Sequence, residues 1–108
     1  MFKRLIVGAI ALFAFTFTVP LALADAAAGA QVFSANCAAC HIGGGNAVNA
    51  AKTLKATDLE KYEMNTAEAI TYQVVHGKNA MPSFSGRLTA DQIASVTEYV
   101  LQKSEAGW

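Results

Sequence analysis

The chain has little charge and few of the residue types that build metal, redox or nucleic-acid sites. Only 15% of its 108 residues are charged, the formal net charge is zero, and there are two cysteines, two histidines and two prolines. Nucleic-acid binding draws on a basic surface, which this composition does not provide. No strand pattern, internal repeat or linker is present, so the sequence predicts one small all-α domain.

The apolar excess is concentrated at the start of the chain. Two basic residues near the N-terminus precede an apolar run over residues 5–19, which Pro20 ends, and Ala-Leu-Ala follows. This order is typical of a secretory signal peptide with cleavage after Ala24. A permanent membrane anchor is the alternative, but the run is shorter than the roughly 18 residues a span needs. We therefore expect a signal peptide over 1–24, a domain over 25–108 and no permanent anchor.

The predicted domain is slightly acidic and very short. It carries six basic and eight acidic residues, a formal charge of −2. A domain of this length buries a marginal core and usually needs a covalent or metal staple.

The residues Cys-Ala-Ala-Cys-His at positions 37–41 are the chemical centre of the sequence. In the pattern C-x-x-C-H, each cysteine sulfur adds to a haem vinyl group, and the two intervening residues let one helical turn span both vinyls. His41 is then carried under the iron as an axial ligand. A covalently attached haem c would also be the staple that the small domain needs.

Met81 is the candidate for the second axial ligand. It precedes Pro82 in a segment, residues 78–88, without helical period. A thioether opposite histidine raises the reduction potential of the iron, and the proline restricts the Met81 backbone to extended conformations. Met64 competes for this role, but it directly precedes a helix cap and is interpreted as packing. With both axial positions filled by protein, the expected activity is outer-sphere electron transfer, and the protein is not expected to be an enzyme.

Two other interpretations of the cysteines agree less well with the sequence. A thioredoxin-type C-x-x-C requires a βαβ context, which is absent. A zinc site would need Cys37, Cys40, His41 and His76 together, but the usual spacing of paired histidines is missing. His76, near a predicted helix end, is interpreted as a solvated residue that interacts with the last carbonyl groups of its helix.

Four helical segments are predicted from capping signals and from apolar residues at helical spacing. The apolar stripes are Val32 and Phe33 in the first, Ile70, Val74 and Val75 in the third, and Ile93, Val96, Tyr99 and Val100 in the last. The first covers residues 26–35 with Asp25 as its cap, and its Gly29 leaves room for the Tyr99 ring of the last helix. A short piece over 57–62 would be capped by Thr57 or Asp58. An Asn65 cap starts the third, which should run over 66–76 and stop at Gly77. The capping box at 89–92 starts the last, which should run to about Lys103.

Three polar residues are candidates for contacts with the cofactor. Gln73 lies on a helix that should face the haem. Asn46 and Lys52 could donate to the propionates, or they could be ordinary polar loop residues. Spacing alone favours the second interpretation, ordinary polar loop residues.

Several segments of the chain are together similar to one known family. Residues 33–41, 52–54, 72–74, 77–82, 86–88 and 107–108 resemble, in this order along the chain, cytochrome c6, the class I cytochrome c of the thylakoid lumen in cyanobacteria and algae. The run Gly-Lys-Asn-Ala-Met-Pro around Met81 carries more of this resemblance than the haem motif does. The resemblance implies a class I cytochrome c fold, about four helices around one haem.

The resemblance also implies a function and roles for particular residues. Electrons would pass from the cytochrome b6f complex to photosystem I, and a respiratory oxidase could also be served. Cys37 and Cys40 would form the thioether bonds, and His41 and Met81 would be the axial ligands. The remaining roles implied are propionate contacts for Asn46 and Lys52, tuning of the haem potential for Gln73, and partner docking for Arg87.

Overall fold

The computed structural model describes residues 21–108, and their side chains from Ala26 onward. Residues 21–108 contain five α-helices and one 3-10 turn, Ile42–Gly44, which comes directly after the second helix. The predicted signal peptide lies outside the described residues, except for its last four residues, which are the first turn of α1. The helices are α1 (Leu21–Asn36), α2 (Ala38–His41), α3 (Ala56–Lys61), α4 (Ala67–His76) and α5 (Ala90–Ala106).

The all-α prediction is confirmed for this part of the chain. The described residues contain two isolated β-bridges and no strand. Within residues 21–108, no helix is both long and apolar enough to cross a membrane.

Close packing of α1 against α5 organises the fold, and it depends on a glycine. A Cβ atom on Gly29 would lie 2.7 Å from the Cβ of Tyr99 and would overlap the carbonyl oxygen of Ser95. The ring of Phe33, one turn later on α1, has its centroid 5.3 Å from that of Tyr99. The predicted contact between Gly29 and the Tyr99 helix is therefore confirmed, since only a residue without a side chain permits this approach.

The first helix begins earlier than predicted. Asp25 was expected to cap a helix over 26–35, whereas α1 starts at Leu21 and contains Asp25. Leucine and alanine at positions 21–24 are strong helix formers, so they extend the helix towards the N-terminus when they are present.

Both longer helices downstream begin at a capping residue, although in α4 this residue is not the predicted one. The Thr66 hydroxyl accepts a hydrogen bond from the backbone N–H of Ala69, so Thr66 caps α4 in place of the predicted Asn65. Gly77 ends that helix with a φ of 69°. The capping box of α5 is present: Thr89 accepts from the Gln92 backbone, and the Gln92 side chain accepts from Thr89. This helix ends at Ala106, three residues beyond the predicted Lys103.

The short helix α3 is correctly placed, but its predicted cap is wrong. It covers Ala56–Lys61, its N-cap is Lys55, and no side chain caps it. The Asp58 carboxylate instead accepts hydrogen bonds from the backbone N–H and the hydroxyl of Thr53. These bonds, that from the hydroxyl foremost, lower the pKa of Asp58 below its ordinary value. Asp58 thus ties the loop before α3 to the helix, which sequence spacing did not indicate.

The core lies between α1, α4 and α5, with contributions from α3 and the loop after α4. The predicted apolar stripes supply most of it. Leu59 of α3 and Phe84 of the loop complete it, and Val96, on α5, is the most deeply buried, with 1% of its surface exposed. The buried apolar residues are Val32, Phe33, Leu59, Ile70, Val74, Phe84, Ile93, Val96 and Val100.

Candidate haem site

One cleft collects every residue that the sequence assigned to the cofactor. Its volume is about 520 Å³, within the range usual for cofactor and ligand pockets. Its inner wall is apolar and includes Phe33, Leu59 and Phe84. The predicted cofactor residues that line it are Cys37, Cys40, His41, Asn46, Lys52, Gln73 and Met81.

The C-x-x-C-H motif opens into this cleft from one compact turn. Cys37 lies between the end of α1 and the start of α2, and α2 consists of the four residues that follow it. Both thiols are unpaired, with Cys37 half-buried and Cys40 exposed. Both cysteines line the cleft. This arrangement leaves both sulfurs available for thioether bonds to a haem.

The chemistry of Cys37 disfavours a thiol-disulfide enzyme. Burial raises the pKa of the Cys37 thiol to about 11. Reactive cysteines in thioredoxin-like motifs have the opposite property, a depressed pKa that maintains the thiolate. A raised pKa leaves little thiolate at neutral pH, so Cys37 lacks the property that the thiol-redox interpretation requires.

The imidazole of His41 is held by a backbone carbonyl. Its Nδ1 lies 2.8 Å from the carbonyl oxygen of Gly45, and a carbonyl can only accept a hydrogen bond. Nδ1 therefore carries the proton, and Nε2 has its lone pair free. A metal-ligating histidine commonly has this arrangement, because the second hydrogen bond sets both the tautomer and the ring orientation.

Met81 is placed by a tight turn rather than by a helix. The backbone groups of Lys78 and Met81 exchange two hydrogen bonds, of 3.0 and 2.9 Å. Asn79, inside this turn, has a left-handed φ of 52°, a conformation that asparagine tolerates better than most residues do. The turn and the following Pro82 together give the Met81 backbone little freedom. The turn thus adds two hydrogen bonds to the restriction that Pro82 was predicted to place on the Met81 backbone.

The loop that carries Met81 is seated on the C-terminal end of α4. The backbone N–H of Phe84 donates to the carbonyl of Val74 over 2.9 Å, and the Ser83 hydroxyl donates to the carbonyl of Val75. A Cβ on Gly77 would lie 2.6 Å from the Met81 carbonyl oxygen. The sequence identified Gly77 only as a helix stop, but it also lets the Met81 loop approach the helix.

Gln73 faces the candidate ligand directly. Its side-chain nitrogen Nε2 lies 3.5 Å from the sulfur of Met81, and the residue is half-buried in the cleft. The prediction that Gln73 lines the cleft is confirmed. An amide donor in this place can act on the electron density of the sulfur.

Asn46 and Lys52 line the cleft mouth, but much of the Asn46 side chain serves its own loop. Its oxygen accepts from the backbone N–H groups of Val48 and Asn49, and its nitrogen donates to the carbonyl of Lys52 over 2.8 Å. The Lys52 ammonium lies 5.1 Å from the centroid of the Tyr62 ring. One Asn46 N–H and the Lys52 ammonium can still donate, so their propionate contacts stay a prediction.

The remaining sequence candidates lie apart from this cluster or pack beneath it. Met64 lines the cleft and packs against the core, in agreement with its interpretation as packing. Arg87 is exposed and does not line the cleft. His76 is exposed, its Nδ1 lies 2.8 Å from the Tyr72 carbonyl, and its ring stacks on that of Tyr72. Across residues 21–108, no three His, Cys, Asp or Glu side chains are grouped to hold a metal ion.

The residues present fit a covalent haem. The cleft is lined by two unpaired cysteines three positions apart, a histidine whose Nδ1 is bound to a backbone carbonyl, a methionine and an apolar wall. Fold and site together define a class I c-type cytochrome: an all-α domain in which the C-x-x-C-H turn and a methionine loop open into the same cleft.

Comparisons with known proteins give the particular family. Residues 24–100 match the family model described as cytochrome c oxidase, cbb3-type, subunit III. Cytochrome c6 of Nostoc sp. is 58% identical over 107 residues, covering 99% of this chain and 96% of that protein. Cytochrome c6 of Parathermosynechococcus lividus is 62% identical over 85 residues, covering 79% of this chain and 98% of its own length.

A solved structure agrees with these sequence matches. Cytochrome c6 of the diatom Phaeodactylum tricornutum superposes with a TM-score of 0.76 at 51% identity, covering 78% of this chain and 99% of the diatom protein. The chain belongs to the cytochrome c6 family. It is accordingly an electron carrier with covalently bound haem c, and it is not an enzyme.

Proposed function

We propose that this protein carries single electrons from the cytochrome b6f complex to photosystem I in the thylakoid lumen. In this proposal the haem is bound through Cys37 and Cys40, and its iron is ligated by His41 and Met81. The observation that carries the proposal is the meeting of these four side chains in one cleft. The partners and the compartment follow from the family resemblance of the sequence.

The protein residues around the cleft orient the two proposed iron ligands and line the haem pocket, and none of them would react with a substrate. When bound, the haem iron supplies the one-electron couple. The Gly45 carbonyl holds His41 in the tautomer that presents Nε2, and the turn from Lys78 to Met81 holds the sulfur. The apolar wall formed by Phe33, Leu59 and Phe84 excludes water from the inner side of the cleft. With His41 and Met81 both bound to the iron, no position would be open to a substrate, so electron transfer would be outer-sphere.

The haem assignment is tested by a pyridine haemochrome spectrum of the exported protein, compared with a Cys37→Ala, Cys40→Ala variant. The expected result is covalent haem c in the native chain, with a stoichiometry of one, and none in the variant. Haem that can be extracted by acidified solvent from the native chain would overturn the covalent attachment.

The partner assignment is tested by flash kinetics with photosystem I particles. The reduced protein should re-reduce the photosystem in a second-order reaction that weakens as salt is added. Arg87 is exposed soon after the Met81 loop, so Arg87→Glu should slow this reaction about tenfold at low salt, because rim charges act on association rate. The visible spectrum should not change.

The matched control reverses one charge elsewhere. Lys103 lies in the last turn of α5 and does not line the cleft. Both substitutions change the net charge by the same amount. If the position of Arg87 matters for docking, Lys103→Glu should therefore change the rate much less than Arg87→Glu. Equal rates for both variants across a salt series would remove Arg87 from the docking surface.

A second candidate is donation to a terminal oxidase in respiration. The family model matched by residues 24–100 is named for a cytochrome c oxidase subunit. This name is the reason to test the respiratory candidate. The same reduced protein should be offered to oxidase-containing membranes and to photosystem I particles. Faster oxidation by the membranes, at equal acceptor concentration, would reverse the order of the two candidates.

A further inference from the structure

Trp108, which follows α5, is hydrogen-bonded to a loop far away in sequence. Its indole Nε1–H donates to the carbonyl oxygen of Leu54 over 2.8 Å. The indole is half-buried, and its ring centroid lies 5.4 Å from that of Phe33. The end of the chain is therefore attached at once to the core and to the loop before α3.

The same indole also lies against the loop that follows the haem motif. A Cβ atom on Gly44 would collide with several carbon atoms of the indole ring. The carbonyl of Gly44 accepts a hydrogen bond from the backbone N–H of Leu54 over 2.8 Å. Leu54 is thus held on one side by Trp108 and on the other by Gly44, while the indole covers Gly44 itself.

The next peptide along the chain is the one that holds the imidazole. The carbonyl of Gly45 accepts from Nδ1 of His41 over 2.8 Å, and the Gly45 N–H donates to the Ile42 carbonyl over 3.1 Å. A continuous series of contacts therefore runs from the indole, through Leu54, Gly44 and Gly45, to the ring of His41. Gly44 and Gly45 are joined covalently, and the other steps are hydrogen bonds or the van der Waals contact of the indole with Gly44.

We propose that Trp108 is a positioning residue for His41: its indole holds the loop at Leu54 and Gly44, and thereby fixes the Gly45 carbonyl that orients the imidazole. This inference rests on the proposed ligand role of His41. Donation from Nδ1 raises the basicity of Nε2, so the indole would influence the reduction potential from the far side of the loop.

The competing explanation is that Trp108 only fills the aromatic cluster of α1 and α5. Its ring lies near both Phe33 and Tyr99, at centroid distances of 5.4 and 6.1 Å. A packing role would lower stability on mutation but would not act selectively on His41. The two explanations are separated by one variant that removes the N–H donor but keeps an aromatic ring at position 108, and by another that removes a neighbouring ring but keeps the donor.

The test uses three forms of the haem-loaded protein: native, Trp108→Phe and Tyr99→Leu. Trp108→Phe keeps an aromatic ring but loses the donor to Leu54. Tyr99→Leu removes a ring from the same cluster and leaves the indole N–H in place. In the reduced, nitrogen-15-labelled proteins, solvent exchange of the Leu54 amide and of the His41 Nδ1–H is measured by nuclear magnetic resonance, together with the reduction potential.

For Trp108→Phe we expect both protons to exchange about fivefold faster, because one buried hydrogen bond that limits local opening is lost. The reduction potential should rise, since a loosened Nδ1 bond makes the imidazole a weaker donor to ferric iron. Tyr99→Leu should lower stability without these changes. The inference is overturned if Trp108→Phe leaves both exchange rates native, or if Tyr99→Leu alters them equally.

Failure of the haem-ligation proposal would be recognised separately. Absence of a low-spin histidine–methionine spectrum from the native protein would refute the ligand assignment itself. A normal native spectrum with unaltered His41 exchange in Trp108→Phe would refute only the positioning role.

Discussion

The amide nitrogen Nε2 of Gln73 lies 3.5 Å from the sulfur of Met81. Gln73 belongs to α4, whereas Met81 belongs to the loop that follows this helix. The hydrogen bonds of Phe84 and Ser83 to α4 keep the two side chains at this separation. The amide is therefore placed to withdraw electron density from the sulfur, which would make the sulfur a weaker donor to the iron.

Gln73→Leu should lower the reduction potential. The variant keeps the apolar part of the side chain and removes the N–H donor, so the sulfur donates more strongly and ferric iron is favoured. Redox titration measures the effect. Gln31→Leu, at an exposed position of α1, is the matched control and should retain the native potential. A potential that is equal in the two variants would contradict the role of Gln73.

The two cleft-lining methionines are expected to differ in their effect on the iron. Met81→Ala should open an axial position and lower the potential by a few tenths of a volt, given that axial ligands set haem potentials over about 0.8 V. Met64→Ala should instead lower stability by about 2 kcal/mol or more, as for other core truncations, and keep the native spectrum. Ligand-binding spectra with added imidazole distinguish them. Imidazole binding to Met64→Ala but not to Met81→Ala would reverse the ligand assignment.

Gly77→Ala should disrupt the packing of the Met81 loop against α4. Gly77 has φ 69° and ψ 176°, a backbone region essentially restricted to glycine. Its added Cβ would also lie 2.6 Å from the Met81 carbonyl oxygen and 2.7 Å from the Ser83 nitrogen. We expect a loss of about 3 kcal/mol in the free energy of unfolding, measured by denaturant titration, and a weakened methionine signal in the ferric spectrum.

Gly86 provides the control for that substitution. Its φ is 77°, but a Cβ there would meet no atom within 4 Å. Gly86→Ala should therefore cost only the backbone term, about 1–2 kcal/mol, with the iron spectrum unchanged. If both variants lost the same stability and kept native spectra, the close approach at Gly77 would not matter for the site.

Processing of the N-terminal segment is predicted from sequence. The Ala-Leu-Ala at 22–24 indicates a mature protein that begins at Asp25, or within a residue of it. Removal of residues 1–24 would also place Asp25 at the start of α1, where a carboxylate is favourable at a helix N-terminus. Intact mass of the haem-containing protein measures the outcome. Recovery of the full Met1–Trp108 chain would mean that the apolar segment is retained.

The sequence predicted the features that depend on residues a few positions apart. The C-x-x-C-H motif and the Thr89 capping box each act within one helical turn, so their spacing was sufficient to assign them. The apolar stripes of α4 and α5 were also predicted, because helical periodicity decides which side of a helix can be buried. Helix ends were less accurate, as the start of α1 and its enclosed Asp25 show, since neighbouring helix formers can extend a helix beyond a good cap residue.

Tertiary structure alone decided the contacts between segments distant along the chain. Nothing in the spacing of Trp108 and Leu54, 54 positions apart, indicates the hydrogen bond that joins them. Spacing also does not indicate that Phe84, a loop residue, is buried in the core. Nor does it indicate that the Asp58 carboxylate accepts a hydrogen bond from Thr53 and does not cap α3. Local sequence determined which groups could ligate a haem, because ligand chemistry belongs to single side chains. Packing determined how these groups are held, because orientation depends on whichever backbone carbonyl, amide or ring the folded chain brings beside them.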